Sequence, residues 1–287
     1  MASKTLTPRE IADSFKIRCS SIIDIMAEMG LTEKQEAELN ELTNRFNGIG
    51  KPLTDVQNKK RLELFEKSKI VELPVGAKTY CKQWLKNFKY GRRKELKNKY
   101  VIKGNEVEED GFTLMATELK LGMVYKNTER KSNAYIEGEC DLHVERLDSV
   151  YDNKASYDLD TFPMYEDVFD KRYWWQLQGY GCLWSAKNLV LCHTLNDATD
   201  RMVEDATRWK DDHEEKYKIA EQIVFTQAQF EHCKLAMFSD STLDTFIPIP
   251  DEERIKTFRF DYDPKQIEKV KDRVLMCREY IYQLLTN

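Results

Sequence analysis

Gly138-Glu139-Cys140-Asp141, then Asp152-Asn153-Lys154, then Gln176-Leu177-Gln178-Gly179-Tyr180 are the words on which the fold of this chain turns. In a strand, side chains alternate between faces, so Asp152 and Lys154 project together. Asn153 turns away and leaves its backbone carbonyl near them. Asp141 ends the preceding strand, and a hairpin of about ten residues brings it back beside Asp152. Two carboxylates and a carbonyl form the oxygen set that a hard cation such as magnesium or manganese prefers. A lysine beside them can orient or deprotonate a water and hold negative charge developing on a phosphate. Gln176 and Tyr180 lie one helical turn apart, so both can face that cluster or a substrate phosphate.

Outward from this stretch the pattern predicts a helix over residues 106–120 and short strands over 123–126, 134–144 and 150–155, with a turn at 146–149. A helix over 171–187 and a buried-type strand over 189–195 follow. The order is helix, three strands, helix, strand. Beyond it, residues 200–229 read as mostly helical, 257–261 as an edge strand and 264–285 as a long amphipathic helix. At the other end, Thr7-Pro8-Arg9-Glu10 is a capping box with proline at the first helical position, and Thr32 with Gln35 and Thr54 with Gln57 repeat the pattern. Gly48-Ile49-Gly50-Lys51-Pro52 breaks the chain between the second and third of these, which gives a helical hairpin. We therefore expect an N-terminal helical region over 1–72 and one larger domain over 73–287.

The charge is unevenly spread. Residues 78–103 hold ten basic side chains (Lys78, Lys82, Lys86, Lys89, Arg92, Arg93, Lys94, Lys97, Lys99 and Lys103) against Glu95, a local charge of +9; the chain as a whole is −5, so the remainder sums to −14. Such a segment binds a phosphate backbone locally while the acidic remainder resists nonspecific coating. It reads as a helix interrupted near Gly91, with Tyr80, Trp84 and Phe88 every four residues and lysines on a neighbouring stripe. Aromatics at that spacing usually belong to a core. The lysines beside them are expected to touch phosphate, with Lys78, Lys82, Lys86, Lys89, Arg92 and Arg93 as the candidate contacts.

At 287 residues, with 41% hydrophobic and 33% charged side chains, the chain has the composition of a soluble globular protein. It has no apolar run of membrane length. The opening Met1-Ala2-Ser3-Lys4-Thr5 is polar, so a cytoplasmic protein is expected. Seven cysteines stand singly with no Cys-x-x-Cys pair. Reduced, mostly buried thiols are the expectation, and the missing ligand spacing argues against both a zinc ribbon and a four-cysteine iron–sulfur cluster. His143-Val144-Glu145 lacks the Pro-Cys-x-x-Cys partner of a zinc deaminase. There is no Gly-x-x-x-x-Gly-Lys loop for a nucleotide and no Gly-x-Ser-x-Gly elbow for acyl transfer.

These words resemble the PD-(D/E)XK nuclease superfamily, and within it the phage-type exonucleases related to the RecB nuclease domain. Gly138-x-x-Asp141 matches the second motif, Asp152-Asn153-Lys154 the third, and Gln176-x-x-x-Tyr180 the glutamine–tyrosine signature. Lys103-Gly104-Asn105-Glu106-Val107-Glu108 is similar to the opening Gly-x-x-x-Glu motif. Thr161-Phe162-Pro163 and Tyr173-Trp174-Trp175-Gln176-Leu177-Gln178 resemble phage members. The resemblance is firmest over 103–195. It implies a restriction-endonuclease-like α/β core: a central mixed sheet flanked by helices, built from a helix, a three-stranded meander, a helix and a strand, with helical additions at both ends.

It further implies that Asp141, Asp152, the Asn153 carbonyl and Glu108 hold magnesium, with manganese as substitute, and that Lys154 serves the water. Glu106 and Glu109 compete with Glu108 for its place, since a helix turns 100° per residue. The implied activity is a DNA exonuclease of phage or prophage recombination, in a bacterial or phage-infected cell, leaving a 5'-phosphate and a 3'-hydroxyl. Its substrate is DNA, duplex with ends or single-stranded. A single-strand annealing protein and further copies of the chain are candidate partners. Two alternatives stand: a structure-specific endonuclease on the same site, and a DNA-binding recombination partner with a vestigial site.

Overall fold

The computed structural model describes residues 6–31, 33–69, 72–94, 98–237 and 246–287. Contacts divide the chain into two units, one of Met1–Ile17, Ser21–Arg93 and Glu268–Asn287, the other of Arg18–Ser20 and Lys94–Ile267.

The first unit is helical. Thr7 caps α1 (Pro8–Asp13): its hydroxyl accepts from the Glu10 N–H at 3.2 Å and the Glu10 carboxylate accepts from the Thr7 N–H at 2.8 Å, the reciprocal box read in the sequence. After β1 (Ile17–Arg18) and the single turn of α2 (Ile22–Ile25), α3 (Glu33–Phe46) and α4 (Asp55–Ser68) form the expected hairpin. Thr54 boxes α4 with Gln57, while the Thr32 cap lies outside the described residues. Arg45 closes the hairpin by donating to the carbonyls of Lys51 and Pro52 and to Gln57.

The basic helix α5 (Val75–Tyr90) belongs to this unit, so the division expected at residue 72 does not match where the contacts divide the chain. The physical reason is its apolar face. Ala77, Cys81 and Leu85 are buried, and Trp84 meets Phe15 edge-on at 5.1 Å. The Cys81 thiol lies beside that of Cys277 in the terminal helix. Gly91 ends α5 at a φ of 61°, the left-handed cap that glycine adopts without strain.

In the second unit, α6 (Lys99–Glu106) and α7 (Glu108–Glu118) divide at Val107 the helix expected over 106–120. Next come β2 (Lys131–Ser132), β3 (Ile136–Gly138), β4 (Leu142–Val144) and β5 (Ser149–Ala155). The crossover helix α8 (Lys171–Trp184) leads to β6 (Asn188–Thr194). The main sheet runs β4-β5-β6-β7, with β7 (Ile255–Asp261) the edge strand that was expected. β5 and β6 are parallel and the two outer pairs antiparallel. α8 supplies the long return that a parallel pair needs.

Two readings of the strands are corrected. Residues 123–126 form no strand, and the segment expected over 134–144 is two strands, with β3 in a small separate sheet between β1 and β2. The ladder breaks because the Cys140 and Asp141 carbonyls accept from Asn127, from its side chain at 2.9 Å and its N–H at 2.8 Å.

Helices cover both faces of the main sheet. α7 packs Phe112 and Met115 on Tyr151, Val190 and Cys192; α8 covers the opposite face. Six of the seven cysteines are buried and Cys182 is partly buried, all of them free thiols. α9 (Asp200–Thr207), α10 (His213–Ile223) and α11 (Gln227–Met237) enclose a satellite core around Val203, Tyr217 and Phe230. The final helix, α12 (Pro264–Thr286), lies mostly in the first unit. Among the described residues no helix is long and apolar enough to cross a membrane.

Candidate metal and phosphate site

β4 and β5 position the acidic pair. Strand alternation turns Asp152 and Lys154 toward α8, while Asn153 faces α7, where its side-chain oxygen accepts from Thr194 Oγ1 at 3.0 Å. A Cβ on Gly111 of α7 would stand 2.3 Å from the Asn153 amide, so α7 approaches β5 this closely only with glycine there. Asp141, in the break before β4, accepts the Asn153 N–H on Oδ2 at 2.6 Å. Its carboxylate thus lies against the backbone between Asp152 and Lys154, as the sequence predicts.

Gly138 explains the first word of the motif. A Cβ there would lie 2.6 Å from Cys19 Sγ and 3.0 Å from the Tyr180 ring. Its absence lets Tyr180 pack in, 4% exposed, and the Tyr180 hydroxyl accepts from Gln176 Nε2 at 2.8 Å. Gln176 also donates to Asp152 Oδ1 at 2.9 Å. Gln176 and Tyr180 are therefore a buried brace behind Asp152, with hydrogen bonds that end on the carboxylate.

Asp152 is 1% exposed, and its Oδ2 has the Lys154 ammonium at 2.5 Å but makes no well-angled hydrogen bond. Burial pushes the Asp141 carboxyl up to about 7, and the neighbouring Asp152 charge adds to the rise. Burial pulls the Lys154 amine down, but Asp152 and Asp141 outweigh it and hold the amine above its usual range. Two carboxylates thus share one ammonium, with the excess charge buried. A divalent cation would neutralise that excess, with the Asp152 Oδ2, which here has the Lys154 ammonium beside it, as one ligand. The donor set fits: Asp141, Asp152 and the Asn153 carbonyl are hard oxygens, and magnesium is usually bound by one or two carboxylates, waters and substrate phosphate.

Among the described residues no three acidic, histidine or cysteine side chains converge as a ready ligand set. Glu108 is near enough for its charge to raise Asp141, but it is ion-paired with Lys126. Glu106 accepts from Thr199 at 3.0 Å, so Glu108 is the glutamate of this turn that acts on Asp141. In the loop after Lys154, Asp160 is exposed and Asp158 braces a turn by accepting from Thr161.

Lys126, Asn127 and Tyr173 escape the sequence reading. The first two meet their partners only through loop packing, which leaves no local pattern. Tyr173, whose ring centroid is 5.1 Å from Lys154 Nζ, had a signal, since it stands three residues before Gln176 and so shares its helix face.

In the first unit, Lys82, Lys86 and Lys89 line an exposed stripe of α5, and Arg92 and Arg93 follow its cap, also exposed. None of these five meets a carboxylate among the described residues. Lys78 differs: it pairs with Glu72 at 3.2 Å. Of the aromatic stripe, Tyr80 and Trp84 are partly buried and Phe88, stacked on Trp84 at 5.1 Å, is exposed. Lys103, counted in the basic segment, is fully buried and donates to the Tyr157 carbonyl at 2.7 Å.

Compared with solved structures, the chain is similar to a phage related exonuclease from Haemophilus somnus 129PT, at 23% identity over 95% of this chain and 96% of that one, with a TM-score of 0.62. An alkaline exonuclease from Laribacter hongkongensis matches at 10% identity over 96% of this chain and 92% of that one, with a TM-score of 0.47. At the identity of the first match the likeness establishes the fold, the restriction-endonuclease-like arrangement that the sequence resemblance implies. No family model and no curated protein sequence matches the chain.

Proposed function

We propose that the protein is a magnesium-dependent DNA exonuclease, with manganese as substitute, that hydrolyses phosphodiester bonds to leave a 5'-phosphate and a 3'-hydroxyl. The observation that carries this reading is the buried Asp152 and the half-buried Asp141 set against a single ammonium, that of Lys154, which shares a face of β5 with Asp152. Such excess negative charge lowers stability unless a cation is meant to enter. The shared fold with a phage related exonuclease supports the choice among phosphodiesterases.

When bound, the cation supplies an activated water and a counter-charge for the phosphate. Asp141, Asp152 and the Asn153 carbonyl hold it. Lys154, kept protonated by the two carboxylates, faces the phosphate as a fixed positive charge and stabilises the pentavalent transition state. Gln176, braced by Tyr180, fixes the Asp152 carboxylate so that its second oxygen stays directed at the site. Lysines of α5 hold the substrate backbone, and DNA is the partner the charge pattern fits.

Lys154→Ala and Asp152→Asn are the test. Each variant is expected to fold and to lose at least 10²-fold of cutting on linear duplex with magnesium. Wild-type cutting by either overturns these roles, and destruction of a covalently closed circle by the parent protein excludes a strict end-dependent exonuclease.

A further inference from the structure

The register that places Lys154 continues across the sheet. Its Cα partner on β6 is His193, and the partner of His193 on β7 is Lys256. Residues paired in this way share a face, so Lys154, His193 and Lys256 form one row over two strand spacings, ~10 Å. Side-chain contacts bear this out. The Tyr173 ring lies 5.1 Å from the Lys154 ammonium and 6.1 Å, edge-on, from His193. Phe258, two residues along β7, meets His193 edge-on at 6.1 Å and has the Lys256 ammonium 5.7 Å from its centroid. Burial, and then the Lys154 charge, pull His193 down to about 4, so it is a neutral donor at physiological pH.

Lys154 and Lys256 keep 27% and 25% of their side-chain surfaces in solvent. The acidic partner of Lys256 is Asp167, at 3.6 Å and 97% exposed, a loose surface pair that a better anion can displace. The row therefore runs from the amine proposed to face the scissile phosphate to a second amine, with an uncharged N–H donor between them and the Tyr173 and Phe258 rings beside it.

We infer that His193 and Lys256 form a second phosphate subsite, which holds a backbone phosphate adjoining the scissile one in the strand under attack. The inference rests on the nuclease reading, since it is Lys154 that anchors one end of the row. Lys256 supplies charge, and His193 supplies a hydrogen bond that carries no charge and so no salt dependence. Asp167 competes with the phosphate for Lys256.

The test is binding of a short fluorescent duplex in EDTA, where nothing is cut, followed by anisotropy at several salt concentrations. Lys256→Gln should weaken binding about 3- to 10-fold at 100 mM salt and lower the salt slope by about 0.9. Lys256→Arg should stay within about 2-fold of wild type. His193→Phe keeps the ring packing and should weaken binding about 3-fold with the slope unchanged. Asp167→Asn should tighten binding about 2-fold, a change of opposite sign that general loosening of β7 would not produce. An unmoved affinity and slope in Lys256→Gln, or weakening in Asp167→Asn, overturns the subsite. Cutting of the same duplex with magnesium, measured alongside, separates the two readings. If the wild type cuts and Lys154→Ala does not, the subsite alone has failed; if the wild type does not cut, the nuclease reading falls and takes the subsite with it.

Discussion

The acidic pocket of the second unit and the lysine stripe of α5 both concentrate charge, yet they obey different physics. Asp141, Asp152 and Lys154 interact in a low-dielectric setting, where burial and the Asp152 charge raise Asp141 and the two carboxylates raise Lys154. Lys82, Lys86 and Lys89 stand in water with no acidic partner among the described residues. Buried charge lowers stability and is specific in geometry. Exposed charge costs the fold little and acts through salt-dependent attraction. The first can perform chemistry on one phosphate, and the second can hold many.

The largest expected effect comes from the exposed set. Replacing Lys82, Lys86, Lys89 and Arg93 together with glutamine should leave the melting temperature nearly unchanged. It should weaken DNA binding by ~10³-fold at 50 mM salt and lower the slope of log K against log salt by about 3 to 4. Titrations across salt concentrations check this. An unaltered slope would mean that the DNA lies elsewhere, and a large loss of stability would mean that these lysines are part of the fold.

The buried set should respond in stability. With its pKa raised to about 7, Asp141 binds a proton in the folded protein between about pH 4 and pH 7 where the unfolded chain does not. Stability of the metal-free protein should therefore fall as pH rises through that window and be lowest above pH 7, by at most ~4 kcal/mol from this group. Asp141→Asn should flatten this dependence and raise the melting temperature in EDTA at pH 8, while abolishing any further gain from magnesium. Denaturant titrations at pH 5 and pH 8 decide the matter. Equal wild-type stability at both would show that the pair carries no excess charge.

How much of this was legible depended on whether each signal was local. Asp152 and Lys154 could be placed because alternation along a strand needs no distant partner, and Gln176 and Tyr180 because a helical turn is equally local. Thr7 and Thr54 revealed their helices through boxes spanning four residues. The break between β3 and β4 was not legible, since it depends on Asn127 reaching back to carbonyls thirteen and fourteen residues away. Nor was the assignment of α5 to the first unit, because Phe15 and Cys277 lie far from it in the chain. Glu108 lies near enough to act on Asp141, but its pairing with Lys126 arises from a loop that sequence periodicity reads as a strand.

Lys103 tests the comparison itself, because composition assigns it to the exposed set and the fold assigns it to the buried one. It is 0% exposed, with Phe225 and Tyr157 rings 4.9 and 5.7 Å from its ammonium. Burial pulls its pKa down to about 8, against the opposing charges of Asp197 and Asp158. Between about pH 8 and pH 10.5 the unfolded chain holds a proton here that the folded protein has released, so this group makes stability rise with pH across that window. Below pH 8 both states carry the charge, and the penalty of burying it is present in full, on the order of 3 kcal/mol at most. Lys103→Met should remove that rise and leave the salt slope of DNA binding as it was, whereas the same substitution at Lys86 should lower the slope by about 0.9 and leave the pH profile alone. A Lys103→Met protein with a reduced salt slope would place this residue in the phosphate-binding set and erase the distinction between the two kinds of charge.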